Sequence, residues 1–205
     1  KQKDIEAVVI ATPDHTHAVI TMAAIEMGKH VYCQKPLTHT VEEARKITAA
    51  ARASKVQTQM GNQGHSSDAI RVVREWIQSG SIGDVKEVHA WTDRPDDGPW
   101  YANFGARDLP SDFPAVPDSL NWDLWLGPTQ DRKFSPAYHP FKWRAWLDFG
   151  TGALGDMGCH ILDPACWALD LMNPSSITAE VKHHKPELAG KAHPIAATVT
   201  YEFPQ

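Results

Sequence analysis

Three segments of this chain gather side chains that can move protons or hold a ligand. Ala11-Thr12-Pro13-Asp14-His15-Thr16-His17 lies where a strand-like run gives way to a helical pattern, and open α/β sheets collect ligands at the carboxyl ends of their strands. Such a segment either lines a crevice or is a helix start capped by Asp14 with two solvated histidines. Cys33-Gln34-Lys35-Pro36 closes the next strand-like run. A lysine ahead of proline sits in extended or turned backbone; it is either simply solvated or, if partly desolvated, readier to give up a proton. Gly150 to Asp163 is the third segment. Asp156 and His160 are four apart and share a helix face, where a carboxylate can orient an imidazole and raise its basicity. The same spacing suits a surface ion pair or, with Asp163 as a third ligand, a metal site. Gly152, Gly155 and Gly158 cost helix stability and leave the surface open to close approach, which favours function; no metal is assigned.

A fourth cluster is aromatic: Trp91, Trp100, Tyr101, Trp122, Trp125, Trp143 and Trp146, with Lys142 and Arg144 beside the last two. Sugars stack their C–H faces on such rings while cationic side chains bond the hydroxyls, and core packing is the alternative for each ring. Asn62 and His65, in the Met60 to His65 stretch after a third strand-like run, add an amide and an imidazole at the same rim or simply make a turn.

The elements that must position these groups alternate as βαβ units do. Strands are expected at Ile5 to Thr12, Lys29 to Cys33 and Val56 to Met60. A helix over about His15 to Met27 turns Ala18, Met22 and Ile25 inward and stops at Gly28. Thr40 and Glu43 form a capping box for a helix with Val41, Ala44, Ile47 and Ala51 on one stripe, and a third helix, about Ser67 to Gln78, buries Ile70, Val73 and Ile77. Beyond Gly83, Val85 to Thr92 alternates as a strand, a Pro- and Asp-rich loop follows to about residue 118, and Gly152 to Leu171 is helical, with Pro164 kinking it or starting a second helix capped by Asp163. Ile177 to His184 and Ile195 to Phe203 are the last strands. The expected fold is α/β: a partial Rossmann-like parallel sheet in a domain over residues 1–80, followed by a partial α+β substrate and oligomerisation domain over 81–205.

With 42% hydrophobic and 22% charged residues the composition is that of a globular protein, neither disordered nor collagenous. Lys and Arg total 20 against 25 Asp and Glu, and no basic run is present, so neither a nucleic acid nor a membrane is an expected partner. Three cysteines without a CxxC pair fit reduced thiols and a cytoplasmic location.

The order strand, Thr12-Pro13-Asp14-His15-Thr16-His17, helix, Gly28-Lys29-His30-Val31-Tyr32-Cys33-Gln34-Lys35-Pro36, capped helix, then Gly152-Ala153-Leu154-Gly155-Asp156-Met157-Gly158-Cys159-His160 resembles the glucose-fructose oxidoreductase, inositol dehydrogenase and MocA family over almost the whole chain. The resemblance implies catalytic roles for Lys35, Asp156 and His160, with Thr12, Pro13, His17 and Lys35 against NAD or NADP. Asn62, His65, Lys142 and Arg144 are the expected substrate contacts, the substrate being a small sugar or polyol; Asn121 to Pro128 looks like the branch acting on such molecules. A homo-oligomer is expected. Gln34 stands where the family usually has Glu, and no G-x-G-x-x-G occurs, so the chain reads as a central piece of such a protein. The expected activity is hydride transfer between a carbinol carbon and a nicotinamide. A glycoside-cleaving or eliminating enzyme on the same scaffold, or a non-catalytic sugar-binding module, are the alternatives.

Overall fold

The computed structural model describes residues 3–94 and 104–204; Trp100 and Tyr101 of the aromatic cluster lie outside them. Three short runs, β1 (Ala7–Ile10), β2 (His30–Gln34) and β3 (Thr58–Gly61), form a parallel sheet in the order β1-β2-β3, with Ile10 beside Cys33 and Cys33 beside Met60. Parallel pairing requires a crossover at each step, and helices supply both. The first crossover is α1 (Asp14–Glu26), which ends where Gly28 takes φ 68°, a conformation that costs glycine little. The second is α2 (Val41–Ala53), started by the expected capping box: Thr40 Oγ1 accepts from the Glu43 N–H at 3.2 Å and Glu43 Oε2 from the Thr40 N–H at 2.8 Å. Ala18, Ala24 and Ile25 of α1 and Ile47 of α2 bury against Ile10, Val31 and Cys33. The architecture is therefore mixed α/β with a Rossmann-like parallel sheet. Val41, placed on the inner stripe of α2, is instead exposed.

α3 (Asp68–Gln78) crosses to the second half and packs on α6 (Asp163–Leu169), where the Arg74 guanidinium lies 5.2 Å from the Trp167 ring. It buries Ile70, whereas Val73 stays exposed. Around α4 (Trp122–Leu126) and a 3-10 turn at Lys142–Ala145, an aromatic core gathers Trp122, Phe134, Tyr138, Trp146 and Phe149. The Trp122 and Trp146 indole N–H groups donate to the carbonyls of Arg132 and Ala137, both at 2.7 Å. These two rings are satisfied core members rather than a sugar platform.

α5 (Gly152–Ile161) and α6 are separate helices, so Pro164 opens a second helix in its first turn. Leu162, not Asp163, is the residue at its cap, and Asp163 turns its carboxylate to His65. β4 (Ser176–Lys182) and β5 (Ala196–Glu202) pair antiparallel, leaving Ile177, Val181 and Tyr201 exposed. Residues 85–92 form no strand: among the described residues none pairs with them, and Val88 and Trp91 stand in solvent. Among the described residues no helix is long and apolar enough to cross a membrane.

Candidate active site

A cleft of about 460 Å³ opens at the carboxyl ends of β1 and β2, within the range of small-molecule sites, roughly 300–1,000 Å³. Thr12, Pro13 and Asp14 form one wall, Gln34 and Lys35 the floor, and Trp125, Phe141, Trp143 and Arg144 the facing wall, with Asp156 between. The sheet thus supplies one side and the aromatic half the other.

Lys35 leaves the end of β2 and meets the first half of α5. Its Nζ donates to Asp156 Oδ1 at 2.6 Å and to the Asp156 backbone carbonyl at 2.8 Å, across 121 residues of sequence. Arg94 Nη1 takes the other carboxylate oxygen, Oδ2, at 2.6 Å. Both oxygens of Asp156 are therefore held by cations, and the expected Asp156 to His160 pair does not form. Two charge-assisted bonds outweigh an i,i+4 contact worth about 0.2–0.5 kcal/mol. His160 sits half-buried one turn along, next to the cleft but not among the residues that line it. Burial first, then Lys35 and Arg94, hold its pKa below the usual histidine value, against Asp156 and Asp163, so its basicity falls rather than rises. At neutral pH it is an uncharged base.

The first turn of α1 is buried rather than solvated. Asp14 accepts from Thr151 Oγ1 at 2.8 Å, and burial pushes its carboxyl pKa up against that bond and nearby cations. It is the first helical residue, and the cap position belongs to Pro13. His15 is 1% exposed between the Trp125 carbonyl (Nε2, 2.8 Å) and the Phe149 carbonyl (Nδ1, 3.3 Å). Burial lowers its pKa, so it is neutral and donates from one nitrogen. The neighbouring residues 149–151 are a hub that fixes the start of α5. The His15 N–H donates to the Phe149 carbonyl at 3.2 Å, while His39 Nε2 and His193 Nε2 donate to the Gly150 carbonyl at 3.0 and 2.8 Å. A Cβ on Gly150 would stand 2.5 Å from Arg144 Cα, so only glycine fits.

Of the residues expected against a cofactor, Thr12, Pro13 and Lys35 line the cleft. His17 borders it with both ring nitrogens engaged, to the Pro36 carbonyl at 2.7 Å and the Thr12 carbonyl at 2.8 Å. It ties the ends of β1 and β2 together and has no nitrogen left for a ligand. Only an imidazolium donates twice. Burial alone would lower its pKa, but adjacent Cys33 and the two carbonyls outweigh it and raise the value to about 9. The stabilisation is then complete below the ordinary histidine pKa of about 6.5 and is lost as pH rises through about 9. Melting curves are expected to show the gap in Tm between the wild type and His17→Asn narrowing over that interval; a gap independent of pH would contradict the doubly donating imidazolium.

Among the expected substrate contacts, only Arg144 faces the cleft. Its guanidinium lies 4.1 Å from the ring centres of both Phe141 and Trp143 and donates to the Phe141 carbonyl at 3.2 Å. Lys142 lies outside the lining and is exposed, because the 3-10 turn directs Trp143 and Arg144 inward instead. Asn62 donates to the Cys159 carbonyl at 2.7 Å, and His65 meets the Asp163 carboxylate at 2.9 Å with its ring 4.4 Å from Trp167. Both brace the end of β3 against α5 and α6, away from the cleft. With Asp163 paired in this way, no group of three or more metal-ligating side chains is assembled among the described residues. Arg94 is the site residue that spacing alone missed, while Asp14 and Thr151 lie in the segments singled out and find each other only in the fold.

Residues 1–62 match the family model for an oxidoreductase family with an NAD-binding Rossmann fold, and residues 69–203 match that family's C-terminal alpha/beta domain. The chain belongs to the Gfo/Idh/MocA oxidoreductase family. Levoglucosan dehydrogenase of Pseudarthrobacter phenanthrenivorans is 29% identical over 163 residues, 79% of this chain and 32% of that protein. The 1,5-anhydro-D-fructose reductase of Ensifer adhaerens is 40% identical over 80 residues, 39% of this chain and 24% of that protein. An oxidoreductase domain protein from Kribbella flavida superposes with a TM-score of 0.62 at 26% identity, over 98% of this chain and 46% of its own. This family member thus spans about a third of the levoglucosan dehydrogenase and under half of the Kribbella protein.

Proposed function

We propose that the cleft is the hydride-transfer site of a sugar or polyol oxidoreductase working with NAD or NADP. The observation that carries this is the meeting of Lys35, at the carboxyl end of a parallel strand, with Asp156, and with His160 one helical turn beyond. The matched relatives, a levoglucosan dehydrogenase and an anhydrofructose reductase, act on carbohydrates. The residues present suit a nicotinamide: Thr12 and Pro13 line the crevice outside the strand ends, where α/β sheets take dinucleotides, and Trp125 and Trp143 add apolar atoms to the same lining.

When bound, a nicotinamide supplies a two-electron hydride acceptor for a carbinol C–H. The hydroxyl proton of that carbinol goes to neutral His160 as general base. Lys35 has three N–H donors and spends two on Asp156, leaving one for the oxygen on which negative charge develops. Arg144, stacked and aimed into the cleft, bonds a hydroxyl of the same substrate.

Adding NADH or NADPH to the protein is expected to quench tryptophan emission, since Trp125 and Trp143 border the site. A panel of anhydrosugars, inositols and aldoses with the oxidised cofactor is expected to raise absorbance at the nicotinamide wavelength. Sugar release without that rise would transfer the site to hydrolytic or eliminating chemistry, and no quenching with either cofactor would remove the redox assignment.

A further inference from the structure

Asp156 is the acidic centre of the site, yet neither of its oxygens turns to the imidazole on its own helix. Lys35 Nζ holds Oδ1 and Arg94 Nη1 holds Oδ2, each at 2.6 Å, with all three side chains largely shielded from solvent. A carboxylate between two cations in such a place is fixed in orientation, because each oxygen already has a charge-assisted partner. The His160 imidazole makes no hydrogen bond among the described residues, although it lies one turn from Asp156. Arg94 itself lies over an aromatic ring, its guanidinium carbon 5.3 Å from the Phe104 ring centre.

We propose that Arg94 is a positioning residue of this site: by taking Oδ2 it turns Asp156 to Lys35 and away from His160, leaving that imidazole unbonded and able to accept a substrate proton. Of the three, Asp156 lines the cleft while Arg94 and His160 stand behind it, and Arg94 acts on the site through the Asp156 carboxylate that it holds. The proposal rests on the oxidoreductase function proposed for the cleft only for the identity of the proton donor; the arrangement of Arg94, Asp156 and His160 stands without it.

The charged groups acting on His160 are Lys35 and Arg94, which disfavour its protonation, and Asp156 and Asp163, which favour it. Removing Arg94 therefore works in one direction twice. A repelling cation is lost, and Asp156 is released to accept from the imidazolium. Arg94→Met is expected to raise the His160 titration midpoint by about half a pH unit or more, the size of one cation's effect at a half-shielded site. Arg94→Gln, which keeps a donor for Oδ2 without the charge, is expected to give a smaller rise, and Arg94→Lys a midpoint near the wild type.

Imidazole carbon–proton NMR spectra of the intact protein read this directly, with the His160 resonance assigned by its loss in His160→Gln. A His160 midpoint unmoved in both Arg94→Met and Arg94→Gln would overturn the proposal, and because Arg94→Gln retains the bond to Asp156 it covers the case in which the methionine variant does not fold. In turnover, the acid limb of kcat/KM is expected to move up with the NMR midpoint while KM changes less than twofold. A resonance that shifts in a protein with no dehydrogenase activity would leave Arg94 in this role and sink the redox function; a moving acid limb with a fixed resonance would do the reverse.

Discussion

Lys35→Met is expected to lower kcat/KM for carbinol oxidation by at least about 10²- to 10³-fold, the loss seen when a single preorganised donor to a developing oxyanion is removed. The methionine keeps most of the side chain's length, so the shape of the cleft floor is conserved and the change is electrostatic. Asp156 retains Arg94 on Oδ2 in the variant, so the carboxylate is not left buried without a partner and the fold is expected to persist. Lys35→Arg is the informative companion. A guanidinium keeps the charge but is broader and planar, and it cannot reproduce the two bonds from one nitrogen to the side chain and backbone of Asp156. It is expected to recover binding of the reduced cofactor better than turnover. Steady-state kinetics with a melting curve on each variant checks this. Full activity in Lys35→Met would remove the amine from the chemistry.

The parallel sheet was legible because βαβ units announce themselves locally. Short strand-length runs bounded by turn and cap residues, Gly28 after α1 and the Thr40 and Glu43 box before α2 each act within a few residues. The convergence of Lys35 with the Asp156 helix was legible only through family resemblance, since no spacing rule links groups 121 positions apart. Arg94 was not legible at all. It sits in a stretch without helix or strand, and nothing in its neighbours distinguishes it from a solvated arginine until the fold brings Asp156 to it. Asn62 and His65 show the opposite case: polar groups at a strand's carboxyl end suit ligand binding, but here the Cys159 carbonyl of α5 takes the Asn62 amide N–H and the Asp163 carboxylate of α6 takes His65 Nδ1. The alternation of Val85 to Thr92 is a necessary condition for a half-buried strand and not a sufficient one, because a strand needs a neighbour to pair with. Sequence alternation reports the side-chain pattern and says nothing of that neighbour.

Phe149→Ala is expected to cost about 3–5 kcal/mol, the usual range for removing a buried phenyl ring, and so to consume a large share of a domain's stability. Phe149 is fully buried, with the Trp125, Tyr138 and His15 rings centred 4.9 to 5.2 Å away and the Arg132 guanidinium carbon 4.9 Å from its own centre. Deleting the ring leaves a cavity whose walls are themselves pinned: Arg132 pairs with Asp148, and His15 is fixed between two carbonyls, so little collapse can relieve the loss. Phe149→Leu fills most of that space and is expected to cost about half as much. The position also carries a functional consequence that a remote core residue would not. Its carbonyl takes the His15 N–H, the next carbonyl takes His39 and His193, and Thr151 then reaches Asp14, so the ring anchors the segment from which α5 and Asp156 project. Urea denaturation of both variants measures the stability term. At temperatures where Phe149→Leu remains folded, its kcat is expected to fall more than its KM rises, because a displaced α5 misaligns Asp156 and His160 while the walls at Thr12 and Arg144 stay in place. Unchanged kcat in a measurably destabilised Phe149→Leu would mean that α5 is positioned independently of this core.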